Sequence, residues 1–453
     1  MDKITRKIID SEPLRFALYL VALMPLLLLR DVTPDNELKY LSIADEALRD
    51  GHFWCLFNHG IAYADKPPLY IWLIMLFRRL TGTHVVWLLE LFSLIPAFVT
   101  LHIFNRWCGD DLEPKWRAAA EAGLLTSAYF LGGAVVLRMD MMMTMFITLA
   151  MYTFWRMYRG DGRLALRIAF PLYVFMAIFT KGPVGIMVPL FCIPVYLIAE
   201  RRLRFMGRIW GWMSWVMLAA LCAVWWICVY REGGSEYLDN LLFHQTVDRA
   251  VDAFHHKQPF YYYLWSIWYA MAPWCLATIP AIVVALVKKW PRTPLTRFFL
   301  IVAATIIVMM SIVSSKLVIY ILPAFGFITY AGMMLLQGRG CERLRKTIAI
   351  GSAVMLLLAF TAGCLAGRFN DRIGLETACR EAMQVAESEG ITRFGCHDLR
   401  GGENMDVYLG QEVEMLGEED LDDASGIIVF TKGEKGRKAD FKVYKKADNI
   451  TAN

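Results

Sequence analysis

The chain has 453 residues, of which 57% are hydrophobic and only 20% charged, and its mean hydropathy is +0.43. That balance excludes a soluble domain of ordinary composition and points to a chain that crosses a membrane several times. The net charge of +5 is therefore no sign of nucleic-acid binding, because each Lys and Arg takes its meaning from the side of the bilayer it occupies.

A helix needs about 20 apolar residues to cross the hydrocarbon core. Eleven runs of about that length are predicted as spans: 14–30, 84–104, 117–137, 139–158, 164–180, 182–199, 208–230, 262–287, 297–314, 316–337 and 346–366. No small-residue cleavage site follows the first run, so it reads as a retained span. The segment Leu69 to Leu80 is shorter, ends in Arg78 and Arg79, and reads as a helix lying at the interface. With Lys3, Arg6 and Lys7 cytoplasmic, alternation puts Arg156/Arg159, Arg201/Arg202, Lys288/Lys289 and Arg343/Arg345 in inner loops, as the positive-inside rule requires. Residues 31–83, 138–140, 231–261, 314–316 and the tail from Gly367 then face outward.

The tail is different material. "IGLETACREAMQVAES" reads as an amphipathic helix and "GIIVFTK" and "FKVYKK" as strands, giving a small periplasmic α/β domain over 367–453 behind an all-α membrane domain over 1–366. Most of the ten cysteines lie in or beside apolar runs, where a thiol acts as a small hydrophobe. Cys379 and Cys396 lie in the tail, where an oxidising compartment would let them pair.

The unusual polar residues all fall on the outer side. Asp35 and Glu37 follow the first span, while Asp45 and Glu46 fit a solvated surface helix. Lys66 precedes Pro67 and Pro68, which fix the local backbone and aim the side chain. Asp140 sits in the turn "LRMDM" between two apolar runs, where an acid is costly and a functional candidate; Arg138 is its nearest neutralising partner. Lys181 in "TKGP" and Lys316 in "SSKLVIY" are single cations at outer helix boundaries, positions at which a lysine commonly snorkels. The loop "FHQTVDRAVDAFHHKQPFYYYLW" adds Arg249, His255 and His256, and its Tyr261 to Tyr263 suit an aromatic belt. Cations at a membrane surface suit a phosphate anchored in the bilayer, and acids beside them suit a general base acting on a hydroxyl acceptor.

In this order the motifs resemble those of bacterial membrane glycosyltransferases of the C-type fold. They run from the acidic motif, "KPPLYIW", Arg138-x-Asp140 and "TKGP" to "HKQPFYYYLW" and "SSKLVIYILPAF", and cover about residues 14–337. They are most similar to the lipid A aminoarabinose transferases and the related family 39 protein mannosyltransferase-like enzymes. The resemblance implies a polyprenyl-phosphate sugar donor, usually undecaprenyl phosphate, and a lipid A, glycan or protein acceptor at the outer face of the inner membrane. It also implies a catalytic acid in the first outer loop and lipid-phosphate contacts from Lys66, Arg249, Lys316 and Tyr320; the reading of the residues adds Asp140 as an assisting acid and Lys181 and His256 as further phosphate contacts.

The family places Asp-Glu four and three residues before its tyrosine. Counting back from Tyr40 gives Asn36 and Glu37, with Asp35 displaced by one, so the acid is Asp35 or Glu37. Asp65 stands where the aminoarabinose enzymes sometimes contact a divalent metal, the one cofactor the resemblance leaves open. A flippase for a lipid-linked sugar, or a non-catalytic scaffold, is the alternative from another class.

Overall fold

The computed structural model describes residues 3–242, 257–422, 424–434 and 436–445. The chain is mostly helical and ends in a small mixed sheet. In chain order the main helices are α1 (Lys3–Asp10), α2 (Glu12–Leu29), α3 (Lys39–Asp50), α4 (Leu69–Thr81), α5 (Val86–Trp107), α6 (Pro114–Leu125), α7 (Ala128–Ala134), α8 (Asp140–Tyr158) and α9 (Leu164–Lys181). They continue with α10 (Val184–Ala199), α11 (Trp212–Asp239), α12 (Tyr262–Ala270), α13 (Cys275–Val287), α14 (Pro294–Ile312), α15 (Leu322–Gly338), α16 (Glu342–Ala366) and α17 (Glu376–Glu389).

Each of the eleven apolar runs coincides with one helix or a broken pair. Among the described residues seven helices are long and apolar enough to cross a membrane. The runs 117–137 and 262–287 are each split, into α6 with α7 and α12 with α13. Within α11, Gly234 takes φ +71°, so the segment is two helices meeting at a left-handed residue.

The described residues divide into two compact units that do not follow chain order. One comprises Met1–Ala22, Ala64–Tyr70 and Glu90–Leu358; the other comprises Leu23–Tyr63, Ile71–Leu89 and Ala359–Asn453. Residues 31–63 and 71–83 thus cluster with the tail, while 64–70 belong to the first unit.

In the first unit α15 is the central helix, packed by α6, α8, α13 and α14. Its span Val318–Gly338 is 94% buried, whereas no other candidate span exceeds 50%. Close approach explains Gly326: a Cβ there would lie 2.1 Å from the Phe104 ring of α5. A buried polar knot sits at the end of α5 carrying Asn105. Arg15 forms a two-pronged ion pair with Glu121 at 2.8 Å, Asn105 also binds Glu121, and Tyr330 donates to Asn105 at 2.8 Å. Mutual satisfaction is what lets these polar groups sit inside an apolar bundle.

In the second unit the tail forms a four-stranded sheet from β3 (Arg393–Cys396), β4 (Glu414–Met415), β5 (Ile427–Lys432) and β6 (Ala439–Tyr444); β1 (Phe57–Asn58) and β2 (Ile61–Ala62) make a separate hairpin. The order is β4-β3-β5-β6, with β3 parallel to β4 and β5, and β5 antiparallel to β6. The predicted helix and two strands are α17, β5 and β6. β3 and β4 carry no alternation long enough to predict them, and tertiary pairing creates them. Cys379 and Cys396 are buried free thiols rather than a disulfide, and burial pushes the Cys396 thiol up to about 11.

Candidate active site

The acidic loop belongs to the second unit. Pro34–Leu38 is a π turn rather than an α turn, with the Thr33 carbonyl accepting from Leu38 five residues on at 3.1 Å and from Glu37 at 3.2 Å. A π turn absorbs one residue more than an α turn, often at functional sites.

The same geometry separates the two acids. Glu37 is fully buried; its oxygens accept from both terminal nitrogens of Arg30 at 2.7 and 2.8 Å, and from the Thr33 amide and hydroxyl at 2.8 and 2.9 Å. Its lone pairs are occupied, so it braces the loop. Asp35 has a side chain 29% exposed and meets Arg400 at 3.2 Å.

Asp45 and Glu46 were expected on a solvated surface helix, but Glu46 is buried and Asp45 half-buried, because each carboxylate is taken up by partners from neighbouring segments. Asp45 pairs with Arg78 and His84, both at 2.9 Å. Burial favours its neutral form, but these partners outweigh that and hold its carboxyl below the usual range. Glu46 accepts from the amides of His59 and Gly60 at 2.6 and 2.8 Å.

Two residues that the sequence did not single out organise the sites. The first is Asp31, buried at the end of α2. Its Oδ1 accepts from the Tyr408 hydroxyl at 3.0 Å and the Val32 amide at 2.7 Å, and its Oδ2 from the Glu376 amide at 3.1 Å. Burial pushes its carboxyl up to about 6 against those hydrogen bonds. An acid directly after the first span was the available signal.

The second is Ser93, in the first unit. Its hydroxyl donates to the Arg138 carbonyl at 2.9 Å, accepts from the Arg138 amide at 3.1 Å, and lies 3.3 Å from the Tyr70 hydroxyl. It thereby ties the "KPPLY" mount of Lys66 to the turn that carries Asp140. Pro67 and Pro68 are buried, and Lys66 above them is half-buried.

Asp140 opens α8 and is buried, held by Arg138 at 3.0 Å and by Lys181 from the end of α9. The Lys181 ammonium also lies 5.0 Å from the centre of the Tyr320 ring. The structure therefore brings Arg138, Asp140, Lys181 and Tyr320 together, and gives Lys181 a carboxylate partner.

Lys316 is buried and donates to the Gln258 carbonyl at 2.9 Å, beside a bridge between Lys257 and Ser315. Lys257 and Lys316 stand at a groove of about 440 Å³ whose walls include Phe260, Leu264, Val308 and Ile312. Arg249, His255 and His256 lie outside the described residues. Among the described residues no three or more His, Cys, Asp or Glu gather as a metal set, around Asp65 or elsewhere.

No family model matches the chain. Curated relatives do. The chain is 31% identical over 328 residues to the undecaprenyl phosphate-α-4-amino-4-deoxy-L-arabinose arabinosyl transferase of Aeromonas salmonicida, covering 69% of this chain and 58% of that protein. It is 28% identical over 371 residues to the transferase of the same name from Shewanella sediminis, covering 78% and 64%. The chain thus spans less than two thirds of the length of these relatives.

Among solved structures it matches ArnT from Cupriavidus metallidurans bound to undecaprenyl phosphate, with a TM-score of 0.75, 17% identity and 92% of both chains covered. The apo form of that protein matches with a TM-score of 0.72, 17% identity, and 89% and 84% coverage. The chain is accordingly a multi-pass membrane protein with the ArnT fold and a distant relative of the undecaprenyl phosphate-aminoarabinose transferases.

Proposed function

We propose that this protein is a glycosyltransferase that moves a sugar from an undecaprenyl-phosphate carrier to a lipid A, glycan or protein acceptor at the periplasmic face of the inner membrane. Its eleven apolar runs would make eleven crossings, with the active site and tail outside. The observation that carries the reading is the groove with Lys316 and Lys257 at its edge. Its apolar walls suit an isoprenoid chain, and its ammonium groups suit the phosphate that ends it.

In this reading Asp35 takes the proton of an acceptor hydroxyl as that oxygen attacks the anomeric carbon. The carbon–oxygen bond to the lipid phosphate breaks, and the phosphate leaves with the bonding pair. Lys66, Lys316 and Arg249 stabilise the charge on the departing phosphate, with Tyr320 and His256 taken from the sequence reading as further phosphate contacts. Asp140 assists, fixed in place by its pairs with Lys181 and Arg138. Lys181 enters as the counter-ion of Asp140, and Glu37 as the brace of the Asp35 loop.

The test is mass spectrometry of envelope lipids and glycans with and without the protein, alongside transfer by the purified chain. Lys66→Ala and Asp35→Asn should each remove a single sugar mass from the product while leaving a folded protein. Full transfer by both variants would overturn the reading in favour of a flippase or scaffold, which tolerates these changes.

A further inference from the structure

We infer that the C-terminal domain is a working part of the transfer site, with its Arg400–Gly402 turn acting as a positioning element for Asp35. The inference rests on the proposed role of Asp35. It concerns a stretch, "LRGGEN", that carries no obvious chemistry of its own.

The turn is seated directly against the acid. Gly401 has φ +78°, and a Cβ there would stand 2.8 Å from Pro34 Cβ and 3.1 Å from Asp35 Oδ1. Behind it, a Cβ on Gly402 would stand 2.2 Å from the Cys396 sulfur at the end of β3. The turn therefore has the sheet at its back and the Pro34–Asp35 segment at its front, and it cannot retreat from a bulkier residue. Arg400 adds its contact to Asp35 at 3.2 Å. Its side chain is 86% exposed, so this ion pair is a weak restraint and the steric seat is the stronger one.

The rest of the acidic loop is fastened to the same domain. Asn370 donates to the Leu29 carbonyl at 3.0 Å and accepts from the Asp31 amide at 2.9 Å. Tyr408 and the Glu376 amide hold the Asp31 carboxylate, and Ser42 donates to Asp406 at 2.9 Å. From Leu29 to Ser42 the loop meets the domain at five residues, with the π turn in the middle. A π turn has little intrinsic stability, so these anchors decide where Asp35 points.

The experiment uses the full chain in lipid nanodiscs and measures kcat, the KM for the lipid-linked donor, and the unfolding temperature. Gly401→Ala is compared with Gly410→Ala, whose φ is +69° but where a Cβ would meet nothing within 4 Å. Both carry the same kind of backbone strain, but only Gly401→Ala pushes on Asp35.

A displacement of about 1 Å at a reacting group costs up to about 10²-fold in rate. Gly401→Ala should therefore lose at least tenfold in kcat with donor KM within twofold, while Gly410→Ala keeps the wild-type kcat at a similar unfolding temperature. Equal kcat in the two variants, or a loss confined to donor KM, overturns the inference. Should Gly401→Ala fail to fold, Arg400→Ala decides. A kcat loss of threefold or more that Arg400→Lys restores supports the positioning role, and an unchanged kcat overturns it. Asp35→Asn separates the two readings: if it is fully active, the catalytic role itself has failed, whatever Gly401→Ala does.

Discussion

Asp31 links the first span to the tail and should make that link pH-dependent. Its carboxyl moves from 3.8 to about 6 because burial penalises the charge more than the Glu376 amide and the Tyr408 hydroxyl relieve it. An acid whose pKa is raised on folding stabilises the fold fully below its unfolded pKa, and that stabilisation is lost as pH rises through the folded pKa. The interval from 3.8 to about 6, at about 1.4 kcal/mol per pH unit, makes about 3 kcal/mol. Asp31→Asn removes this component. The Asn amide also faces the Glu376 amide that Oδ2 now accepts, which adds a pH-independent cost of about 1 kcal/mol. Hydrogen exchange of amides in α17 and β5, corrected for intrinsic rate, measures the opening free energy of wild type and variant. The difference, variant minus wild type, should rise by about 2 kcal/mol between pH 4 and pH 7.5, most of the full amount. A difference that stays flat across that range would refute the assignment of the strained charge to Asp31.

Other substitutions separate bracing from chemistry. Glu37→Gln breaks the buried bidentate pair with Arg30 and should destabilise the second unit by about 3 kcal/mol or more, seen as a lower unfolding temperature. Asp35→Asn, on the half-exposed acid, should leave that temperature within a few degrees while transfer is lost. Asp140→Asn leaves the Lys181 ammonium buried beside a neutral group and should cost both activity and about 3–5 kcal/mol of stability; the added change Lys181→Met should recover much of the stability but none of the activity. Gly326→Ala forces Phe104 off its seat and should lower stability by about 1–3 kcal/mol with little change in donor KM.

The sequence alone determined the membrane class, the positions of the eleven apolar runs, the short helix α4, and the tail's helix and two longer strands. These follow from hydropathy and local periodicity, which act over a few turns of chain. It also picked out the polar residues worth attention, because a charge beside hydrocarbon is costly enough to be conspicuous in any apolar run. Tertiary structure alone decided which of those residues touch one another. Lys181 could be read as a snorkelling cation until α8 and α9 brought it to Asp140. Asp35 and Glu37 were equivalent by spacing until packing buried Glu37 against Arg30 and left Asp35 partly exposed. Ser93, Asp31 and Gly401 carry no local signal beyond a short polar side chain or a missing Cβ. Their roles arise from hydrogen bonds and contacts between segments tens to hundreds of residues apart, and only packing brings such segments together.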